Sequence, residues 1–292
     1  FIPEIYSKKV QIALRKAAVA EAICNTDYMG EISSFGDTVN IIKEPQIAVA
    51  DYTRGLAVTS TALTDQELVL TVDQAKSFSF KIDDLEKRFS HINFQAIAAD
   101  NAAYALRDAM DSNILAAINA GATVTTGMGT TSTPIDIGFA SGEVDPLNQM
   151  ALAAKELDEA NAPEDGRWFV AAPEWYNQLS NSASKLLSVD FNAGQGSIRN
   201  GLVASGLLRG FQMYKSNNLP TNDLSGATPA GSATAPVALF GHMSSTAAAS
   251  SMNKVETVRD TGTFSDIVRG LMVWGRKVLR PEVAGKIIYT ID

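Results

Sequence analysis

The chain has 292 residues, 46% of them hydrophobic, with a formal net charge of -8 and a sequence isoelectric point near 4.9. That is enough apolar material for one large domain or two subdomains, and no apolar run reaches the roughly 18 residues needed to span a bilayer. The acidic balance argues against a protein that grips nucleic acid over its whole surface, while suiting one that encloses nucleic acid without sticking to it. The lone cysteine, Cys24, excludes an intramolecular disulfide and a cysteine-based metal site, and is read as a small buried apolar residue. The sequence starts at Phe1 without methionine, so either a short leader precedes it or the N-terminus is processed. No signal-peptide pattern is visible, and the product is read as intracellular.

From Pro3 to about Cys24 the pattern predicts a helix. Tyr6, Val10, Ala13, Leu14 and Ala17 share one face of a 3.6-residue wheel, and Lys8, Lys9, Arg15 and Lys16 fall on the other. This is a basic amphipathic arm in an acidic chain. It is either a solvated charged face or an arm lying under a neighbour, against scaffold protein or nucleic acid.

Residues 38–82 predict one long β excursion. Thr38 to Val49 is followed by a polar middle around Asp51 to Arg54, then by Leu68, Leu70, Val72, Phe78, Phe80 and Ile82 in alternation, the mark of a ribbon with one apolar face. As a hairpin, each arm of about 20 residues would reach roughly 60 Å, against a radius of gyration of about 19 Å for a compact chain of this length. An isolated two-stranded ribbon is marginal in water and its edges invite another chain. A neighbouring subunit is therefore the expected completion.

Lys81 to Arg88 predicts the opening of a helical region, and Ile92 to Ile118 one long helix with Ile92, Ala96, Ala99, Ala103, Leu106 and Met110 as a continuous apolar stripe and Gly121 as C-cap. Asp100, Arg107, Asp108 and Asp111 are expected on its solvated or ion-paired side. After a Thr/Gly/Ser-rich loop, Asp145 caps a helix from Pro146 to Ala160. A strand over Trp168 to Ala172 and a short helix from Pro173 to Leu179 follow, with Trp168, Phe169, Trp175 and Tyr176 as core. Gly201 to Pro220 predicts a turn, a glycine corner and a strand, and Thr221 to Pro236 an exposed, mobile loop. Strands are expected at Val237 to Phe240, Lys254 to Arg259, Leu271 to Leu279 and Val283 to Ile291.

Chemistry is scarce. Only His91 and His242 occur, neither beside a partner at metal-ligand spacing, and there is no Gly-x-Ser-x-Gly nucleophile elbow. Gly194-Gln195-Gly196 lacks the Gly-Lys-Ser/Thr ending of a phosphate loop and is read as a turn. Asp83, Asp84 and Glu86 have the chemistry for a hard cation, but a charged helix start explains them more simply. No catalytic residue, metal or cofactor is implied.

The order of parts resembles the major capsid protein of tailed bacteriophages, with its Hong Kong 97-like fold. The resemblance runs almost end to end: an arm beginning Phe1-Ile2-Pro3-Glu4-Ile5-Tyr6-Ser7, a β excursion entered at Gly36 to Ile41, a spine-like helix, an α/β segment and a strand-rich return. The Gly210-Phe211 to Pro220 stretch is similar to the axial-domain strand and turn of phage coat proteins, and Asp51-Tyr52-Thr53-Arg54-Gly55 to their extended-loop tip.

The resemblance implies an α+β fold with an N-terminal arm (1–35), an extended loop (36–82), a peripheral domain with the spine helix (83–145), an axial domain (146–246) and peripheral return strands (247–292). It implies pentamers and hexamers in an icosahedral shell around double-stranded DNA, assembled in the host bacterial cytoplasm, with a scaffolding protein, a portal protein and, in some relatives, a cement protein as partners, and no membrane. Inter-subunit contacts would involve Asp51, Tyr52 and Arg54 of the loop and Lys8, Lys9, Arg15 and Lys16 of the arm. Some family members weld the shell through a loop lysine. Here no lysine occurs between Lys43 and Lys76, so a noncovalent shell is expected, and scaffolding must come from a separate protein or have been cleaved away. Two other readings are an encapsulin compartment enclosing a cargo enzyme and, more remotely, a soluble hydrolase using His91 or His242.

Overall fold

A computed structural model describes residues 15–16, 18–28, 38–43, 47, 49, 51, 54–55, 66–84, 94–181, 208–223 and 234–291. The described residues form three sheets, two of which pack against one long helix. β1 (Thr38–Lys43) and β2 (Gln66–Thr71) form an antiparallel pair. β3 (Gln74–Asp83) opens a three-stranded sheet completed by the C-terminal strands β9 (Thr246–Arg259) and β10 (Ser265–Val278), in the order β3-β10-β9. The long helix α2 (Phe94–Gly121) follows β3, and α1 (Ala20–Ile23) packs beside it.

A six-stranded sheet contains β4 (Ile135–Asp136), β5 (Arg167–Ala171), β6 (Gln212–Lys215), β7 (Thr221–Asp223), β8 (Thr234–His242) and β11 (Ala284–Thr290). Its central strands are apolar on both faces, as strands covered on both sides must be. Trp168, Val170, Val237, Leu239 and Ile288 face α1 and α2, whereas Phe169, Ala171, Ala238, Phe240, Ile287 and Tyr289 face α3 (Pro146–Glu159) and α4 (Pro173–Leu179). Phe169 lies at the centre of this second core, with ring centroids 5.5 Å from Trp175 and 5.9 Å from Phe211. Asp145 caps α3 by accepting from the Leu147 N–H at 2.8 Å.

Several elements differ from the sequence expectation for identifiable reasons. The excursion is not one ribbon through residue 82: six residues of each arm pair as β1 and β2, and β3 pairs with β10 instead. Both segments alternate, so periodicity alone does not separate two short strands of different sheets. The crossing is close, because a Cβ at Gly275 would lie 2.5 Å from the Thr71 carbonyl oxygen. Lys81 to Asp83 accordingly end β3, and the helical residue in the stretch expected to open a helix is Asp84. Gly121 is the last residue of α2, and its missing side chain makes room for Val278, whose Cγ2 would be 2.6 Å from a Cβ. Residues 221–223 and 234–236 pair as β7 and β8 within the stretch expected to be a loop.

The N-terminal arm is not helical at residues 15, 16, 18 and 19, and α1 begins only at Ala20. Asp111 of α2 is the reason. One carboxylate oxygen accepts the backbone N–H groups of both Val19 and Ala20 at 2.7 Å, acting as a cap borrowed from 91 and 92 residues away along the chain. Its other oxygen accepts from the Asn218 side-chain amide at 2.9 Å, which also donates to Asp108 at 2.6 Å. Asp111 is therefore buried, 2% exposed, and not on a solvated face. Replacing Asp111 by Ala strands these donors and is expected to cost about 3 kcal/mol, read as a lower urea midpoint; Asp111→Asn, which keeps an acceptor for α1, should recover part of it.

Candidate assembly surfaces

The β1–β2 pair has one face on its own core and one without cover. Leu70 and Val72 are fully buried with Ala247, Ala249 and Val273, and Val39 and Ile41 pack against them. On the opposite face Ile42 is 71% exposed and Val69 42%. Farther out, Ile47 and Val49 are exposed by 74% and 96%. Asp51 and Arg54 are exposed beside them, with Gly55 in the left-handed region that ends a turn (φ 91°). Tyr52 lies outside the described residues, as do Lys8 and Lys9.

Arg15 and Lys16 lie against the spine helix. The Arg15 guanidinium donates to Asn101 Oδ1 at 3.2 Å and sits 5.3 Å from the Tyr104 ring centroid, and the Lys16 backbone N–H donates to the Tyr104 hydroxyl at 2.7 Å. The predicted contact residues thus occupy two separate elements, the loop and the arm.

Two features at the three-stranded sheet are not among the predicted contacts. The turn between β9 and β10 is fixed by ion pairs: Lys81 with Asp260 at 2.6 Å, and Arg259 with Asp266 at 3.1 Å and with Asp84. Lys81, the Gly262 N–H and the Thr263 hydroxyl hold the Asp260 carboxyl well below the usual carboxylate range. This turn displays Phe264, 81% exposed. Asp84 therefore pairs with Arg259 instead of waiting for a cation. The second feature is a groove of about 660 Å³ between this sheet and α2, with Arg15 and Glu21 at its edge. An apolar stripe reads identically whether its own chain or another covers it, which is why sequence does not reveal the groove.

The described residues offer little chemistry. His242 Nε2 lies 2.8 Å from the Asp165 carbonyl, so that nitrogen carries the proton, while Nδ1 accepts from the Ser244 N–H at 3.1 Å and contacts its hydroxyl at 2.8 Å. Both ring nitrogens are thereby committed to backbone capping. Buried Arg167 is likewise structural, donating to Asp158 at 2.6 Å and to the carbonyls of Ala162 and Pro163. His91, Glu86 and Gly194 to Gly196 lie outside the described residues. Among those described, no group of three or more His, Cys, Asp or Glu side chains is placed to hold a metal ion, and no helix is long and apolar enough to cross a membrane.

Solved structures share this architecture over its whole length. A chain of Mycobacterium phage Che8 matches with a TM-score of 0.79 and 28% identity, over 98% of this chain and 97% of that one. The capsid structure of cyanophage P-SCSP1u matches with a TM-score of 0.74 and 22% identity, over 100% and 94%. The mature capsid of bacteriophage PhiM1 gives 0.71 and 16%, over 99% and 92%. The fold is that of a bacteriophage major capsid protein, the Hong Kong 97-like α+β fold of a structural shell protein. A family model for phage capsid protein matches residues 65–287, and the chain belongs to that family. A search of curated proteins finds no match.

Burial, reinforced by the Asp111 carboxylate, pushes the Cys24 thiol from 9.0 up to about 12. The reactive thiolate is then negligible in the folded chain at pH 8. Ellman's reagent should leave native protein unlabelled at pH 8 and modify one thiol per chain in denaturant. Because the folded thiol pKa is the higher one, its contribution to stability is complete below pH 9 and is lost between about 9 and 12.

Proposed function

We propose that this chain assembles into pentamers and hexamers of an icosahedral shell enclosing the double-stranded DNA of a tailed bacteriophage, held by noncovalent contacts through the extended loop and N-terminal arm. The observation that carries this reading is the uncovered apolar side of the loop, where Ile42, Ile47, Val49 and Val69 are all more than two-fifths exposed. Scattered apolar surface residues are ordinary, but a group on one narrow excursion marks an interaction site. The arm is residues 1–35 and the loop 36–73, since β3 pairs with the return strand β10; the peripheral domain is 74–145 with 247–283, and the axial domain 146–246 with β11, which pairs with β8. Assembly takes place in the host cytoplasm with a scaffolding protein, and a portal protein joins the shell, as a cement protein does in some relatives.

Negative-stain microscopy of the chain, alone and with its scaffold, tests the assembly directly. DNA rather than a cargo enzyme inside purified particles distinguishes a virion shell from an encapsulin compartment. Deleting Ala50 to Ala62 should leave a folded monomer that forms no closed shells, and normal particles from that variant would show the loop dispensable. Denaturing electrophoresis of wild-type particles should give a single monomer band; a covalent ladder would contradict the noncovalent shell.

A further inference from the structure

Four side chains of α2, Asn101, Tyr104, Asp108 and Asp111, follow one another at spacings of three and four and so share one face of the helix. Residues 15–20 of the arm are laid along that face. The Arg15 guanidinium donates to Asn101 Oδ1 at 3.2 Å, the Lys16 N–H to the Tyr104 hydroxyl at 2.7 Å, and the Val19 and Ala20 N–H groups both to Asp111 at 2.7 Å. From Asn101 to Asp111 the helix rises about 15 Å. Five extended residues cover roughly 16 Å, whereas five helical ones would cover only about 7.5 Å. The arm therefore reaches both ends of this ladder only by leaving the helical conformation, as it does before Ala20.

The two ends of the ladder are held very differently. At Asp111 the bonds are buried and charge-assisted, and Val19, Ala20 and Ile23 beside them are at most 5% exposed. At Tyr104 both bonds are exposed, and the contact of the Arg15 guanidinium with the ring, 5.3 Å from its centroid, is of the weak exposed kind. Ala18, between the two, is exposed. Stretches with few buried contacts open locally while their surroundings stay folded. We propose that the chain through Lys16 is a strap that lifts from α2 about a pivot at Ala18, with Tyr104 as its latch, while Val19 and Ala20 stay docked on Asp111. Arg15 and Tyr104 also line the groove of about 660 Å³, so the strap forms one end of its wall when down and opens that end when raised. The device belongs to the single subunit and stands whether or not the shell reading does.

Trypsin cuts after Arg15 and Lys16 only in a raised strap, and its rate there follows the open population when closing is faster than cutting. In the unassembled full-length chain, Tyr104→Ala removes ring and hydroxyl together and is expected to speed the release of products beginning at Lys16 or Ala17 about tenfold. Tyr104→Phe keeps the ring and should give a smaller acceleration, about threefold. Interior sites such as Arg107 should be cut no faster in either variant. Unchanged rates at Arg15 and Lys16 would remove the latch, and interior cuts rising in step would give Tyr104 a merely structural role; either result overturns the proposal. Amide hydrogen exchange of the wild-type chain tests the pivot. The Lys16 N–H should exchange at least about 100-fold faster than those of Val19 and Ala20, corrected for intrinsic rates. One common rate for all three would mean that the arm moves as a single body, and would also overturn it.

Discussion

One buried carboxylate joins three parts of the chain that sequence order keeps far apart. Asp111 starts α1 by accepting two backbone N–H groups, belongs to the spine helix, and holds the Asn218 turn that leads out of β6. A buried charge survives only when its hydrogen bonds are nearly complete. Three donors from two distant segments meet that condition only in the folded arrangement, so the same contact that satisfies the charge fixes where the arm turns. The second core, around Phe169, is built on the other face of the six-stranded sheet and makes no use of the arm.

Much of the fold was legible because local signals agreed with tertiary ones. The spine helix carries a continuous apolar stripe, the helix after Asp145 and the short helix at Pro173 have a start signal, the strand at Trp168 is an apolar run, and each occurs within a few residues of its expected place. The failures share a cause. Asp111 looks like any surface acid on a helical wheel because its partners lie about 90 and 107 residues away. The alternation of residues 66–71 continues into 74–83, yet the two segments belong to different sheets, since pairing is decided by the C-terminal strand β10.

The candidate surfaces were legible to a smaller degree. Exposed aliphatic residues on the loop follow from its ribbon form, since a two-stranded pair buries one face on its own body and leaves the other uncovered. The groove was not legible, because Ala99 and Ala103 continue the periodicity of the buried residues after them. Phe264 was also hidden: a single aromatic in a Thr/Gly turn reads as core unless the ion pairs that hold the turn outward are seen.

Strand β10 carries a consequence for mechanics. It is hydrogen-bonded to β3 on one side and β9 on the other for most of its 14 residues, and β3 follows the loop's return strand after only two residues. A pull on the loop directed along β3 loads that ladder in shear, so many bonds share the force at once instead of parting one by one. Tension on the excursion is thereby passed through a single strand into the C-terminal return, and from Trp274 through Asn113 into the spine helix. A load along that line meets the ladder in shear.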